Sequence, residues 1–192
     1  MKNKKEHKNP WTILSEKKIY ENPWIELTEF KVLNPKQKPG IYGKIHFKGI
    51  AVGVIAMDNE KNIYLVGQYR FPLEQYSWEI PEGGADPKIP LVESAKRELK
   101  EETGVTAKNW QEIQRIHTSN SATDELGVIY LATGLSIGKS DPEETEDLVI
   151  KKVSFEGAFK MVIDGEITDS LSVASILKLR HLIDEGEVKV GQ

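Results

Sequence analysis

Glu98, Glu101 and Glu102 stand at i, i+3 and i+4 within residues 91–105, so a helix there puts three carboxylates on one face. Like charges repel at that spacing. Two of them also fall in the last turn, where the helix dipole disfavours anions. A divalent cation resolves the conflict, because Mg²⁺ takes oxygen ligands and commonly bridges carboxylates to phosphates. The competing reading is a solvated acidic face neutralised by Lys96, Arg97 and Lys100. Just upstream, Gly83-Gly84 follows the strand-like run Tyr76-Ser-Trp-Glu-Ile80 through Pro81-Glu82. A strand, a tight glycine turn and a carboxylate helix bring backbone carbonyls close to the helix face.

The helix itself is predicted from local signals. Pro90 suits a first helical turn, where its missing N–H would be unpaired anyway. Leu91, Ala95 and Leu99 form an apolar stripe, and Gly104 stands where a left-handed cap is wanted.

This stretch resembles the Nudix box, G-x5-E-x7-R-E-U-x-E-E-x-G-U with U aliphatic. Gly83, Arg97, Glu98, Leu99, Glu101, Glu102, Gly104 and Val105 match in register, whereas the first glutamate of the pattern falls on Ile89. In the family that glutamate is mainly structural and pairs with the box arginine. The expected substitutes as partner of Arg97 are Glu93, one turn earlier, or Glu79.

At 192 residues with 39% hydrophobic and 29% charged content, the chain reads as a globular protein of one main domain. A net charge of −4 argues against a general nucleic-acid or anionic-membrane binder. The absence of cysteine excludes disulfides, thiol catalysis and zinc–thiolate sites. With no signal-like or membrane-spanning run, the expected compartment is the cytoplasm.

Residues 1–10 read as a flexible basic tail. Residues 11–48 read as an N-terminal β subdomain, with strands over 11–20, 24–33 and 41–47. Residues 49–192 read as the hydrolase domain. The continuous apolar run 50–57 suits a strand buried on both faces, and 63–69 is the next strand. Residues 106–118 read as polar with a strand in the second half, 119–125 as a loop, 127–133 as a strand and 134–141 as flexible. Helices are expected over 155–163 and after Asp169 or Ser170, with Leu171, Ala174, Leu177 and Leu179 near the core. The order implies an α+β fold with helices on a mixed sheet, preceded by the N-terminal β-sheet subdomain, and the resemblance implies that it is a Nudix-type α/β/α sandwich.

The run Gln68-Tyr69-Arg70 followed by Trp78-Glu79-Ile80-Pro81-Glu82-Gly83-Gly84 resembles the family's ADP-ribose and nucleoside diphosphate sugar pyrophosphatase branch. That resemblance implies substrate contacts from Arg70, Glu79, Gly83 and Gly84; a guanidinium binds phosphate bidentately, although a surface ion pair would equally occupy Arg70. It also implies a homodimer built through the N-terminal sheet, which closes over the base. Trp24, Phe30 or Tyr42 are the candidates to stack on a purine, against simple core packing. The loop 119–125 lacks the proline usual in ADP-ribose-specific members, which favours a broader or different sugar nucleotide. His117, Asp124 and Glu125 are weaker candidates for substrate contact.

The implied reaction is Mg²⁺-dependent hydrolysis, with Mn²⁺ a possible substitute, of a nucleoside diphosphate sugar such as ADP-ribose or GDP-mannose. Products are a nucleoside monophosphate and a sugar phosphate. Glu98, Glu102 and the main-chain carbonyl of Glu82 are assigned to the metal, and Glu101 to a water-mediated contact or an orienting role. The acidic run Pro142–Asp147 supplies the base, Glu144 or Glu146. Two alternatives stand beside it. One is a hydrolase of nucleoside triphosphates or dinucleoside polyphosphates; the other is a non-catalytic nucleotide-binding module on the same fold.

Overall fold

The computed structural model describes residues 8–140 and 147–188. The chain divides into two compact units, residues 1–48 with 119–125, and residues 49–118 with 126–192.

The first unit is an antiparallel three-stranded sheet, β1 (Thr12–Glu21), β2 (Ile25–Leu33) and β3 (Pro39–Phe47), in that order. Asparagines make its turns. The Asn22 side chain accepts from the N–H groups of Trp24 and Ile25, and that of Asn34 accepts from Lys36 and Lys38. The alternation in β3 does not bury Ile41, which is 72% exposed, and Val32 is the only buried hydrophobic residue described in this unit. Residues 119–125 are tied to β3 by Tyr42, whose hydroxyl donates to the Ser121 carbonyl, and by Asp124, whose carboxylate accepts from the Phe47 N–H at 3.0 Å.

The second unit holds two sheets. One is mixed, ordered β7 (Glu82–Ala85), β4 (Ile50–Ala56), β9 (Leu126–Ile137), β8 (Val105–His117), with β4 and β9 parallel. The other is antiparallel, ordered β10 (Val149–Ser154), β5 (Asn62–Arg70), β6 (Gln75–Glu79). Helices α1 (Leu91–Thr103), α2 (Phe155–Ile163) and α3 (Ser170–Asp184) complete it. Strand β4 explains the layering. Val52, Val54 and Ala56 join the cluster containing Ala95 and Leu99 of α1, while Ile55 joins the cluster containing Phe155, Leu171, Ile176 and Leu179 of α2 and α3. Successive side chains point to opposite faces, so a continuous apolar run serves both clusters.

Several expectations need correction. Pro90 caps α1 from outside the first turn instead of lying within it. The whole of Val105–His117 is strand, because an edge strand can carry polar residues on its solvent side. Strand β9 runs on to Ile137 through Gly134 at φ +69°, so the beginning of the segment expected to be flexible is paired. Leu177 is exposed on α3, and Ile176 and Leu182 take the core positions. Asp169 is the cap of α3, accepting from the Ser172 N–H at 2.8 Å.

Candidate active site

Gly83 and Gly84 are not a turn; they lie in β7, paired with Val52 and Ala51 of β4. The reason for glycine at 83 is contact. A Cβ there would stand 2.3–2.5 Å from the three carboxyl atoms of Glu98, whereas one at Gly84 would meet nothing within 4 Å. The missing side chain lets the Glu98 carboxylate lie directly on the strand backbone. Helix α1 turns Glu98 and Glu102 inward, 7% and 1% exposed, and leaves Glu101 at its margin. The Glu82 N–H donates to Glu102 at 2.9 Å, a charge-assisted bond that staples the helix to β7. Gly104, at φ +73°, ends the helix as expected.

Arg97 gathers the rest. Its guanidinium donates to Glu101 at 2.6 Å, to the Gly84 carbonyl at 3.1 Å and to Glu98. The expected partners of Arg97 are therefore wrong. Glu93 bonds Lys96 at 2.8 Å, and Glu79 is occupied by Arg70. Glu101 is one turn along the same helix and Glu98 is seated on β7 beside the Gly84 carbonyl that Arg97 also bonds, while Glu93, equally spaced on the other side, is taken by Lys96.

A second cluster lies on the other side of β7. The Arg70 guanidinium donates through Nε to both oxygens of Glu79, at 3.0 and 3.1 Å, and through Nη2 to Glu82 at 3.2 Å. Glu79 is 2% exposed. Burial, with the nearby carboxylates of Asp169 and Glu79, pushes the Glu82 carboxyl well above the usual carboxylate range despite the neighbouring Arg70. Next to it, the Ser172 hydroxyl accepts the Ile80 N–H at 2.9 Å, tying the Trp78–Gly84 segment to α3. Asp169 and Ser172 were missed as members of this site. Asp169 was legible only as a helix cap, because nothing in the spacing brings it to Glu82.

The structure thus brings Glu82, Gly83, Gly84, Arg97, Glu98, Glu101 and Glu102 together, with Arg70 and Glu79 joined through Glu82. It sets Glu93 apart. Glu144 and Glu146 lie outside the described residues. Asp124 is engaged within the first unit: partial burial opposes its ionisation, but Lys44 at 3.0 Å, His46 at 2.8 Å and the Phe47 N–H bring its carboxyl down to about 2. His117 is paired in β8 opposite Leu126. Of the expected stacking residues, Phe30 and Tyr42 line one cavity of about 420 Å³ in the first unit, joined by Trp11, whose ring meets Tyr42 edge-on at 5.4 Å. Trp24 is exposed in a turn.

Among the described residues no three acidic or histidine side chains converge in the manner of a complete metal cage. The inward carboxylates of Glu98 and Glu102, packed on a strand whose glycine admits them, nevertheless make an oxygen-only donor set suited to a hard cation that draws its other ligands from backbone, water and substrate.

The NUDIX domain model matches residues 47–179. The chain belongs to the NUDIX family. It is 35% identical over 139 residues to an ADP-ribose pyrophosphatase of Mycobacterium tuberculosis (strain ATCC 25618 / H37Rv), covering 71% of this chain and 67% of that one. It is 36% identical over 132 residues to an ADP-ribose pyrophosphatase of Bacillus subtilis (strain 168), covering 68% and 71%. Among solved structures, an ADP compounds hydrolase superposes with a TM-score of 0.83 at 19% identity, over 95% of this chain and 100% of that one, which shows the shared α+β fold. The chain is accordingly a Nudix-type hydrolase.

Proposed function

We propose that this hydrolase cleaves the diphosphate of a nucleoside diphosphate sugar, with ADP-ribose the foremost substrate and GDP-mannose a lesser one, using Mg²⁺. The observation that carries this reading is the pair of inward carboxylates on α1, seated on the glycine strand β7. The two ADP-ribose pyrophosphatase relatives support the choice of substrate.

Glu98, Glu102 and the Glu82 carbonyl would hold the metal, which when bound neutralises the diphosphate and acidifies a water. The chain's own residues do the rest. The Glu82 N–H fixes the Glu102 carboxylate, and Arg97 fixes Glu98 and Glu101 against the Gly84 carbonyl. Arg70, half-exposed and already locked by Glu79, offers its remaining N–H groups to the phosphates or the terminal sugar. Water attacks one phosphorus and the bond from it to the bridging oxygen breaks, giving a nucleoside monophosphate and a sugar phosphate. Glu144 or Glu146 accepts the proton of the attacking water, with Glu101 orienting it.

Two copies associate through the N-terminal sheet in this reading, supported by the exposed Ile13, Leu14, Ile19 and Ile41 on β1 and β3. Light scattering at micromolar concentration reads a dimer mass if this is so, and a monomer mass if not.

The function is tested by phosphate release, coupled to a phosphatase, from ADP-ribose, GDP-mannose, UDP-glucose, dGTP and a dinucleoside polyphosphate. Signal confined to sugar nucleotides and led by ADP-ribose is expected. Turnover only of dGTP or the dinucleotide would contradict the substrate class, and silence with ligand binding intact would make the chain a recognition module.

A further inference from the structure

The outward side of α1 carries a second feature, whose lysines and aromatic wall the hydrolytic reading does not use. A cavity of about 430 Å³ opens between the helix and the edge strand β8, within the size range of small-ligand sites. Lys96, Lys100 and Lys139 line it together with the half-buried ring of Trp110. Arg97 and Glu101 also reach its wall, but they are bonded to each other. Lys96 is held by Glu93, whereas Lys100 and Lys139 have no ion-pair partner among the described residues. Two cations, Lys100 and Lys139, are thus left uncompensated at the cavity, in a chain whose net charge is −4.

The site is built by the backbone. A Cβ on Gly104 would stand 2.6 Å from the Gly138 carbonyl oxygen, 2.7 Å from the Ser140 nitrogen and 2.8 Å from the Lys139 carbonyl carbon. The glycine cap therefore admits residues 138–140 against the helix end, and the Gly138 N–H bonds the Gly104 carbonyl at 2.8 Å. That packing sets Lys139 beside Lys100 at the cavity. The indole N–H of Trp110 is already donated to the Ala107 carbonyl at 3.1 Å, and its ring meets Tyr130 edge-on. What the ring offers a ligand is its π surface. A lysine in a last helical turn also suits the helix dipole, which accounts for Lys100 alone. It accounts neither for Lys139 nor for the aromatic wall.

We infer that this cavity binds an anionic nucleotide, with its phosphates on Lys100 and Lys139 and its base on Trp110. The cavity shares Arg97 and Glu101 with the hydrolytic machinery, but Lys100, Lys139 and Trp110 have no part in it, and the inference does not rest on the proposed hydrolysis.

The test is calorimetric titration of the full chain with ADP in EDTA, where unscreened carboxylates repel a diphosphate from the catalytic side. One equivalent should bind, weaken with added salt, and weaken about tenfold or more in Lys100→Ala/Lys139→Ala, as loss of charged hydrogen bonds implies. Trp110→Leu should weaken ADP but not inorganic triphosphate. The exposed lysines make the double variant safe to fold, so it decides the matter if Trp110→Leu does not. No ADP binding in EDTA, or binding unchanged in the double variant, would overturn the site; equal loss of ADP and triphosphate in a folded Trp110→Leu would overturn the placement of the base. Glu98→Gln should lower ADP-ribose hydrolysis by about 10²-fold or more and leave ADP binding in EDTA intact, so the two readings can fail separately. Clearly tighter ADP binding in EDTA in Glu98→Gln would place ADP beside the catalytic carboxylates, whose repulsion the variant relieves, and overturn the inference.

Discussion

Two clusters of carboxylates back onto β7, and they are neutralised in different ways. On the Arg70 side, Glu79 is buried and held bidentately by a guanidinium, and Glu82 is driven toward its protonated form. That cluster is electrostatically closed. On the α1 side, Arg97 spreads one positive charge over Glu98 and Glu101, while Glu102 receives a backbone N–H. Of these, Glu98 and Glu102 are the inward pair proposed as cation ligands. Each side sets three carboxylates near one guanidinium, so the difference teaches that carboxylate number does not mark a metal site; how each is engaged does, with Glu79 held bidentately and Glu82 driven toward protonation on the Arg70 side.

The comparison breaks most visibly in activity. Glu98→Gln and Glu102→Gln should each lower ADP-ribose hydrolysis by about 10²–10⁴-fold, the scale associated with losing a positioned catalytic group. Both should melt close to the parent, since glutamine keeps the volume and, at position 102, an acceptor for the Glu82 N–H. A parent-like rate in either would remove α1 from the chemistry.

Next comes the closed cluster. Arg70→Ala leaves Glu79 buried without its cation and should destabilise by about 3–5 kcal/mol. Denaturant unfolding reads this directly, and a loss below about 1 kcal/mol would show the cluster to be solvated instead.

A finer distinction separates the two glycines. Gly83→Ala pushes a methyl into the Glu98 carboxylate, which must swing away; stability should fall by about 1–3 kcal/mol while hydrolysis falls further. Gly84→Ala meets open space and should change the rate little. Equal rates for the two variants would show that Glu98 need not lie on the strand.

The smallest effect belongs to the first unit. The folded carboxyl of Asp124 titrates near 2, below its ordinary 3.8. Its contribution is thus complete above about pH 4 and is lost as pH falls toward 2. Asp124→Asn should flatten the acid limb in that window by lowering stability at neutral pH, with little change near pH 2. An unaltered acid limb would mean that Lys44 and His46 do not hold it.

Much of this was legible. The apolar run 50–57, the Gly104 cap and the i, i+3, i+4 carboxylates each rest on short-range periodicity, and the chain obeys it. The errors share a cause. Strand pairing decides whether Gly83-Gly84 is turn or strand, and whether Val105–His117 is wholly extended; the partners are β4, well upstream of β7, and β9, the next strand after β8, and no periodicity within either segment announces them. Arg97 likewise took nearby acids on its own helix, while Glu93 and Glu79 were captured by Lys96 and Arg70. Asp169 enters the site through α3, some 87 positions after Glu82, and no local pattern announces such a contact.

The most direct measurement is Mn²⁺ binding, followed by electron paramagnetic resonance in the parent, Glu98→Gln, Glu102→Gln and Glu79→Gln. The account predicts that the first two variants weaken Mn²⁺ by about tenfold or more and that Glu79→Gln, in the closed cluster, leaves it near the parent value. Parent-like binding in Glu98→Gln and Glu102→Gln, with loss in Glu79→Gln, would move the metal to the Arg70 side and contradict the assignment.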